Sequence, residues 1–319
     1  MQLKVRFLGV SISPGLLLAK LKAILRRTST SGDSFTADNT QPGIILDDRY
    51  EVISQLGSGG MAVVFQVLDQ RLNRVVALKM LSPVKPDRNA TLERRFRREI
   101  EAEMEIEHPN MIRVYDVGQH KDLFYYTMDY LSGGSLLEKI KADPLPLESI
   151  LSIASKMASL LSYIHSKGIL HRDIKTENIL FSAEGEPILT DFGLALRWYS
   201  TDTRLTQKDL VVGTPCYMSP ERIVNSPNVD HRSDIFALGM LMYEMLVGYL
   251  PHSNYDLLAV YNIVKEGLTP PSEINSEIPE EVSQVCMKAI SFYPKERYQS
   301  AGKMGRAVDA LLAKHSTSS

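Results

Sequence analysis

From Tyr50 the chain alternates in the strand manner through Tyr50-Glu-Val-Ile-Ser-Gln-Leu56 and stops at a glycine cluster, as a half-buried strand does. Two further β-rich runs, Ala62–Asp69 and Arg74–Leu81, follow closely. Gaps that short predict antiparallel strands rather than strand–helix–strand crossovers. Residues 90–107 change to a helical composition, with Phe96, Ile100, Met104 and Ile106 set among charged residues, and His108-Pro109 ends it. Candidate strands at 112–118 and 123–128 complete a small sheet that carries one helix. Beyond Gly133-Gly134 the pattern is mostly helical, with long segments at 147–166, 233–247, 255–265, 280–291 and 300–314. No repeat of 20–50 residues is present. The fold class expected is α+β: an N-terminal β-rich lobe at about 46–131 and a C-terminal α-rich lobe at about 132–315.

Ahead of these elements stands a different kind of sequence. Residues 1–30 carry Lys4, Arg6, Lys20, Lys22, Arg26 and Arg27 with no acidic residue before Asp33, and Leu17, Leu21, Ile24 and Leu25 recur at helical spacing. A basic amphipathic helix over about 14–27 could lie on an anionic membrane surface, dock on a partner or act as a transit peptide; the alternative is a helix packed on the main domain or a frayed tail. The stretch 28–42, rich in Ser, Thr, Gly and Asp, reads as a linker, so that 1–45 forms an extension ahead of a domain at 46–315. No window offers the roughly 18 consecutive apolar residues of a spanning helix.

Composition narrows the chemistry. With 319 residues, 44% hydrophobic, 23% charged and a formal net charge of −2, the chain reads as globular and argues against a dedicated nucleic-acid binder, so phosphate chemistry would need local charge. Cys216 and Cys286 form neither a C-x-x-C pair nor a metal spacing, which fits a reducing, cytoplasmic setting.

Between the first two strands stands Gly57-Ser58-Gly59-Gly60-Met61-Ala62. Glycines there serve a tight turn, or leave bare N–H groups that approach a triphosphate; joining two strands rather than opening a helix disfavours the dinucleotide fingerprint and the P-loop. Val75-Val76-Ala77-Leu78-Lys79 then ends an apolar strand on a lysine. It either snorkels from a strand edge or, at this spacing from the loop, neutralises phosphate oxygens. In the second case it needs a carboxylate, for which Glu99 and, one turn on, Glu103 are candidates.

The richest segment is His171-Arg172-Asp173-Ile174-Lys175-Thr176-Glu177-Asn178-Ile179-Leu180, followed by Asp191-Phe192-Gly193. Two carboxylates, a lysine and an amide among apolar anchors match the tasks of phosphoryl transfer: accepting or orienting a hydroxyl proton, holding Mg²⁺, and offsetting the developing charge. Residues from about Tyr50 to Leu312 thereby resemble a eukaryotic-type protein kinase domain, closest to the bacterial serine/threonine kinases of this type.

The resemblance implies a bilobal fold and an ATP-dependent protein serine/threonine kinase. Leu56, Gly57, Ser58, Gly59 and Gly60 would lie in the loop over ATP, with Lys79 as phosphate lysine and Glu99 as its helix partner. Asp173 would be the catalytic base, Lys175 the γ-phosphate cation, and Asn178 and Asp191 the ligands of Mg²⁺ or Mn²⁺. Met128 would be the gatekeeper, Asp129 to Leu131 the segment bonding adenine through backbone groups, and Val64, Ala77 and Leu180 the apolar walls. Lys175 and the segment Gly213-Thr214-Pro215-Cys216-Tyr217-Met218-Ser219-Pro220-Glu221 match serine/threonine kinases, Glu221 and Arg297 their buried ion pair, and Asp234 the acid that braces the catalytic loop. The resemblance implies protein substrates; Arg172, a cation beside the base that needs an anion, predicts phosphorylation of Thr206 by the chain itself or a twin copy, and the basic residues 1–30 predict peripheral membrane contact. Departures are Ala62 for the third loop glycine, Ser219 for an alanine, Phe236 for a tryptophan, Lys208 for a threonine, and Glu103 where an apolar contact is usual. The rival readings are a pseudokinase scaffold, whose mark would be loss of Lys79, Asp173 or Asp191, and a small-molecule kinase, which the docking segment disfavours.

Overall fold

The computed structural model describes residues 41–59, 62–81, 100, 104, 106–121, 123–191, 215–224, 226–251 and 256–316, with the backbone alone at 196–197. The basic N-terminal helix, Gly60, Glu99, Glu103, Phe192, Gly193, Thr206, Lys208, Gly213 and Thr214 lie outside the described residues. The chain divides into two compact units, one of residues up to Glu107 with Ile112–Leu131, the other of His108–Met111 with Ser132 onward.

The first unit is a six-stranded antiparallel sheet: β1 (Ile45–Leu46), β2 (Tyr50–Ser58), β3 (Ala62–Asp69), β4 (Arg74–Leu81), β5 (Val114–His120) and β6 (Leu123–Met128), in the order β1-β2-β3-β4-β6-β5. Pairing sets Val52 opposite Val67, Val67 opposite Val76, Phe65 opposite Leu78 and Val63 opposite Met80. All are buried, together with Tyr50, Leu123 and Tyr125, so one face of the sheet is the core. Side chains alternate along a strand, and the residues between these therefore face the other way. At the sheet margin the Arg49 guanidinium bonds Asp69 through Nε (2.9 Å) and Nη2 (2.7 Å) and Asp116 through Nη1 (2.7 Å), a fork that ties the start of β2 to β3 and β5.

The second unit is mostly helical: α1 (Leu136–Ala142), α2 (Leu147–Ser166), α3 (Pro220–Ile223), α4 (Arg232–Val247), α5 (Leu257–Glu266), α6 (Pro271–Ile274), α7 (Glu280–Ala289) and α8 (Ala301–Ser316). α1 opens on a capping box, Glu138 N–H donating to Ser135 Oγ (3.1 Å) and Ser135 N–H to Glu138 Oε2 (2.7 Å). α4 is buried on nearly every side and forms the centre of the unit. A methyl at Gly239 would stand 2.7 Å from the Ala289 side chain and one at Gly305 3.4 Å from Ala158, so α4 approaches α7, and α8 approaches α2, through small residues. Three short strands follow α2 in the chain, β7 (Ile169–Leu170) and the hairpin pair β8 (Ile179–Phe181) and β9 (Pro187–Leu189), and a fourth, β10 (Leu196–Arg197), pairs with β7. Among the described residues no helix is long and apolar enough to cross a membrane.

Candidate active site

The non-core face of the first unit's sheet gathers several of the residues singled out by sequence. Val64 pairs with Lys79, Lys79 with Tyr126, and Ala77 with Met128, so these five share one face. Lys79 Nζ stands 5.9 Å from the centre of the Tyr126 ring. Tyr126 was not among the sequence candidates, because its place depends on a strand pairing 47 positions away in the chain, which the sequence does not state. The glycine turn beside this face closes through Gly59 N–H on Ala62 O at 2.9 Å. Among the described residues a methyl on Gly57 would meet nothing within 4 Å and one on Gly59 only Ala62 O at 3.9 Å, so their packing demands neither glycine. The open space is what a ligand approaching bare backbone would use. Leu56, Gly57, Ser58 and Gly59 are exposed. At the end of β6, Asp129 N–H donates to Arg113 O (3.1 Å), and the Asp129 carboxylate takes the Arg113 N–H (3.1 Å) and the Tyr115 hydroxyl. The Asp129 segment is thereby fixed while its carbonyl and the Leu131 backbone remain outside those bonds.

In the second unit the cluster singled out by sequence is built on buried Asp234 of α4. Its Oδ2 takes the His171 backbone N–H (2.9 Å) and His165 Nε2 (2.9 Å), and its Oδ1 takes the Arg172 N–H (2.9 Å). Burial alone would raise this carboxyl, but His165, His171 and the Arg172 N–H outweigh it and hold the group at about 2. His171 is fully buried, and loss of hydration pushes its imidazole below the usual range despite nearby Asp234, Asp173 and Asp191. Its neutral Nδ1 accepts the Asp173 N–H at 3.3 Å.

Asp173 is held on three sides. Asn178 Nδ2 donates to its backbone carbonyl (2.8 Å) and to its Oδ2 (2.9 Å), and Lys175 Nζ lies 3.6 Å from the same Oδ2. The 3₁₀ turn Thr176–Asn178 returns the chain so that Asn178 can make both bonds. The ladder then sets Ile179 opposite Leu189 and Leu180 opposite Ile188, with Thr190 N–H and Oγ1 both on Asn178 O (2.8 and 3.1 Å). Asn178 and Asp191 therefore stand next to each other across the mouth of the hairpin, Asp191 with a left-handed φ of 63°. Since the Asn178 amide N–H groups are spent on Asp173, its Oδ1 is the atom able to face a cation. An amide oxygen and a carboxylate are hard donors that suit a small divalent cation sharing its other positions with phosphate and water. Among the described residues no three His, Cys, Asp or Glu are grouped to hold a metal ion by themselves.

The segment ahead of α3 is tied into this loop. Thr176 Oγ1 and Tyr217 OH lie 3.0 Å apart, and Tyr217 donates to buried Glu244 of α4, whose carboxyl burial pushes upward. Glu221 meets the fully buried Arg297 through two 2.8 Å bonds, as the motif implied. His165, Glu244 and Arg222, whose Nη1 bonds the Arg172 carbonyl at 2.6 Å, are contributions that the sequence candidates did not include.

The protein kinase domain family matches residues 50–306. Similar relatives are serine/threonine-protein kinase PknB of Mycobacterium leprae, 37% identical over 81% of this chain and 42% of its own; serine/threonine-protein kinase PrkC of Bacillus subtilis, 34% identical over 81% and 40%; and serine/threonine-protein kinase PknD of Chlamydia abortus, 34% identical over 84% and 31%. The aligned region spans about two fifths or less of the length of these curated relatives.

Proposed function

This chain belongs to the protein kinase family, and on that premise we propose that it is a serine/threonine kinase that moves the γ-phosphoryl group of ATP onto hydroxyls of proteins. The observation that carries the reading is the fixing of Asp173 by Asn178 at 2.8 and 2.9 Å with Lys175 Nζ at 3.6 Å: a positioned carboxylate beside a cation. Asp173 orients the substrate hydroxyl and takes its proton as oxygen attacks phosphorus, and Lys175 offsets charge on the transferring group. Lys79 serves phosphate oxygens, with Val64, Ala77 and Met128 supplying the apolar surface of the same sheet face for the base. Gly57, Ser58 and Gly59 offer backbone N–H groups to phosphate, and Asp129 and Leu131 offer backbone groups to adenine.

Family members use ATP with a divalent metal; here Asn178 Oδ1 and the Asp191 carboxylate would hold Mg²⁺ or Mn²⁺, which neutralises phosphate charge when bound. The preference for serine and threonine rests on Lys175, two residues after the base, and on the names that the relatives bear.

Incubation with radiolabelled ATP, a generic basic protein and a divalent metal tests the reading. Label on serine or threonine, abolished in Lys79→Met, Asp173→Asn and Asp191→Asn proteins that still fold, supports it. Label on tyrosine alone refutes the specificity. Binding of nucleotide with no transfer by the wild type favours the rival reading of a pseudokinase scaffold.

A further inference from the structure

We propose, resting on the kinase reading above, that Arg222 is a positioning residue of the phosphotransfer site: its guanidinium fastens the Arg172 carbonyl and thereby sets the direction of the Asp173 side chain. Arg172 carries a side chain yet has a φ of 67°, a left-handed conformation that persists only where the surroundings enforce it. Enforcement comes from two directions. The backbone N–H groups of His171 and Arg172 are both taken by Asp234 at 2.9 Å, and the Arg172 carbonyl takes Arg222 Nη1 at 2.6 Å. That carbonyl belongs to the peptide plane whose nitrogen is Asp173 N, so gripping it fixes the plane from which the Asp173 side chain departs. Without Arg222 the His171 and Arg172 N–H groups remain held by Asp234, and the Arg172–Asp173 peptide plane keeps only the longer 3.3 Å bond from Asp173 N–H to His171 Nδ1.

Arg222 has little else to do among the described residues. Its sequence neighbour Glu221 is engaged by Arg297 and Ser233, and no carboxylate bonds the Arg222 guanidinium. Burial pushes Arg222 below the usual arginine range, with Asp234, Asp173 and Glu221 pulling the other way. A partly buried cation with no bonded anion among the described residues adds little to stability, so this side chain is a poor stabiliser and a precise clamp. Beside it a cavity of about 10 Å³, lined by Arg172, Asp173, Tyr217, Met218 and Arg222 among others, has room for about one water on its remaining N–H groups. α3 does not depend on the clamp, because Arg222 N–H bonds Ser219 O (2.9 Å) and Glu221 anchors the helix to Arg297.

The test compares Arg222→Met with Arg222→Lys in full-length chain. In Arg222→Met, kcat is expected to fall about tenfold to a hundredfold, with KM for ATP within about twofold and an unchanged or higher melting temperature. Arg222→Lys, which keeps a charged donor, recovers most of the loss. Hydrogen exchange at the Asp173 backbone amide, which shares the released peptide plane, accelerates in the methionine variant and not in the lysine variant, while the His171 and Arg172 amides, held by Asp234, exchange as in the wild type. A methionine variant with wild-type kcat, or with unaltered exchange at the Asp173 amide, overturns the proposal, as does a parallel collapse of ATP affinity and melting temperature. If the wild type transfers no phosphate, the kinase reading fails, and exchange alone decides whether Arg222 clamps the loop.

Discussion

Both N–H groups of the Asn178 amide are spent on Asp173, one at the backbone carbonyl and one at Oδ2. A carboxylate in place of that amide has no proton to give and sets two acceptors face to face. Asn178→Asp is therefore expected to lower kcat by about two to three orders of magnitude, the scale seen when a preorganised polar group is lost from a site. Melting should stay near wild type, because only one side of Asp173 is released. Steady-state kinetics beside calorimetry checks this, and near-normal kcat would show that Asp173 needs no such tether.

Asp234 makes the stability depend on acid. Its carboxyl stands at about 2 in the folded chain against an ordinary 3.8, so between those values the unfolded chain binds more protons. The contribution, roughly 2 kcal/mol, is fully present above about pH 4 and disappears as pH falls through about 2. Urea titrations at pH 7, 4 and 3 should show the wild type losing stability steadily with acid, and Asp234→Asn starting lower and losing less. Some acid dependence will persist in the variant, because Glu221 and Asp69 are also held below the usual carboxylate range. Equal acid slopes in the two proteins would remove Asp234 from the account.

Three strands, Ala62–Asp69, Arg74–Leu81 and Leu123–Met128, and the helix Leu147–Ser166 have the bounds that hydrophobic period alone predicts. Each is long and amphipathic enough for the period to repeat. The strand expected from 112 begins instead at Val114, opposite Met128, with Arg113 N–H given to the Asp129 carboxylate just before it. The three-residue strands of the hairpin were too short to show a period. α1 was legible but unread: Ser135 and Glu138 stand at the spacing of a capping box. The site divides the same way. Asp173, Lys175, Asn178 and Asp191 lie within one short stretch and could be named from it, whereas Arg222 meets Arg172 across 50 residues and His165 meets Asp234 across 69. Contacts of that span leave no mark in local pattern.

Arg297 is a structural test case. Its guanidinium is buried and bonds Glu221 twice, Ser291 O (2.7 Å), Phe292 O (2.9 Å) and Arg232 O (3.0 Å), so all five N–H donors are used. Arg297→Met leaves Glu221 as a largely buried charge without its cation and should cost about 3–5 kcal/mol. Lysine cannot reproduce the fork and should recover little of it. Denaturant unfolding decides; a loss below about 1 kcal/mol would mean that the pair is as weak as an exposed one.

Arg172 supplies the last prediction. Burial, followed by repulsion from Arg222, lowers its guanidinium to about 10, and its buried Nε has no hydrogen-bond partner among the described residues. Two cations side by side call for an anion, and a phosphothreonine brings a charge of about −1.5 to −2 with three acceptor oxygens. Thr206, the notable hydroxyl ahead of Gly213-Thr214, is expected to be phosphorylated by the chain itself or by a twin copy. Thr206→Ala should reduce transfer to a protein substrate about tenfold or more, the equivalent of one charge-assisted hydrogen bond. Arg172→Gln should remove the difference between phosphorylated and unphosphorylated protein, because the phosphate then has no cation at that position to answer it. Mass spectrometry of the wild type after incubation with ATP, beside the Asp173→Asn protein, locates the modification. An unmodified Thr206, or a Thr206→Ala enzyme of full activity, would leave Arg172 without this anion and end the claim.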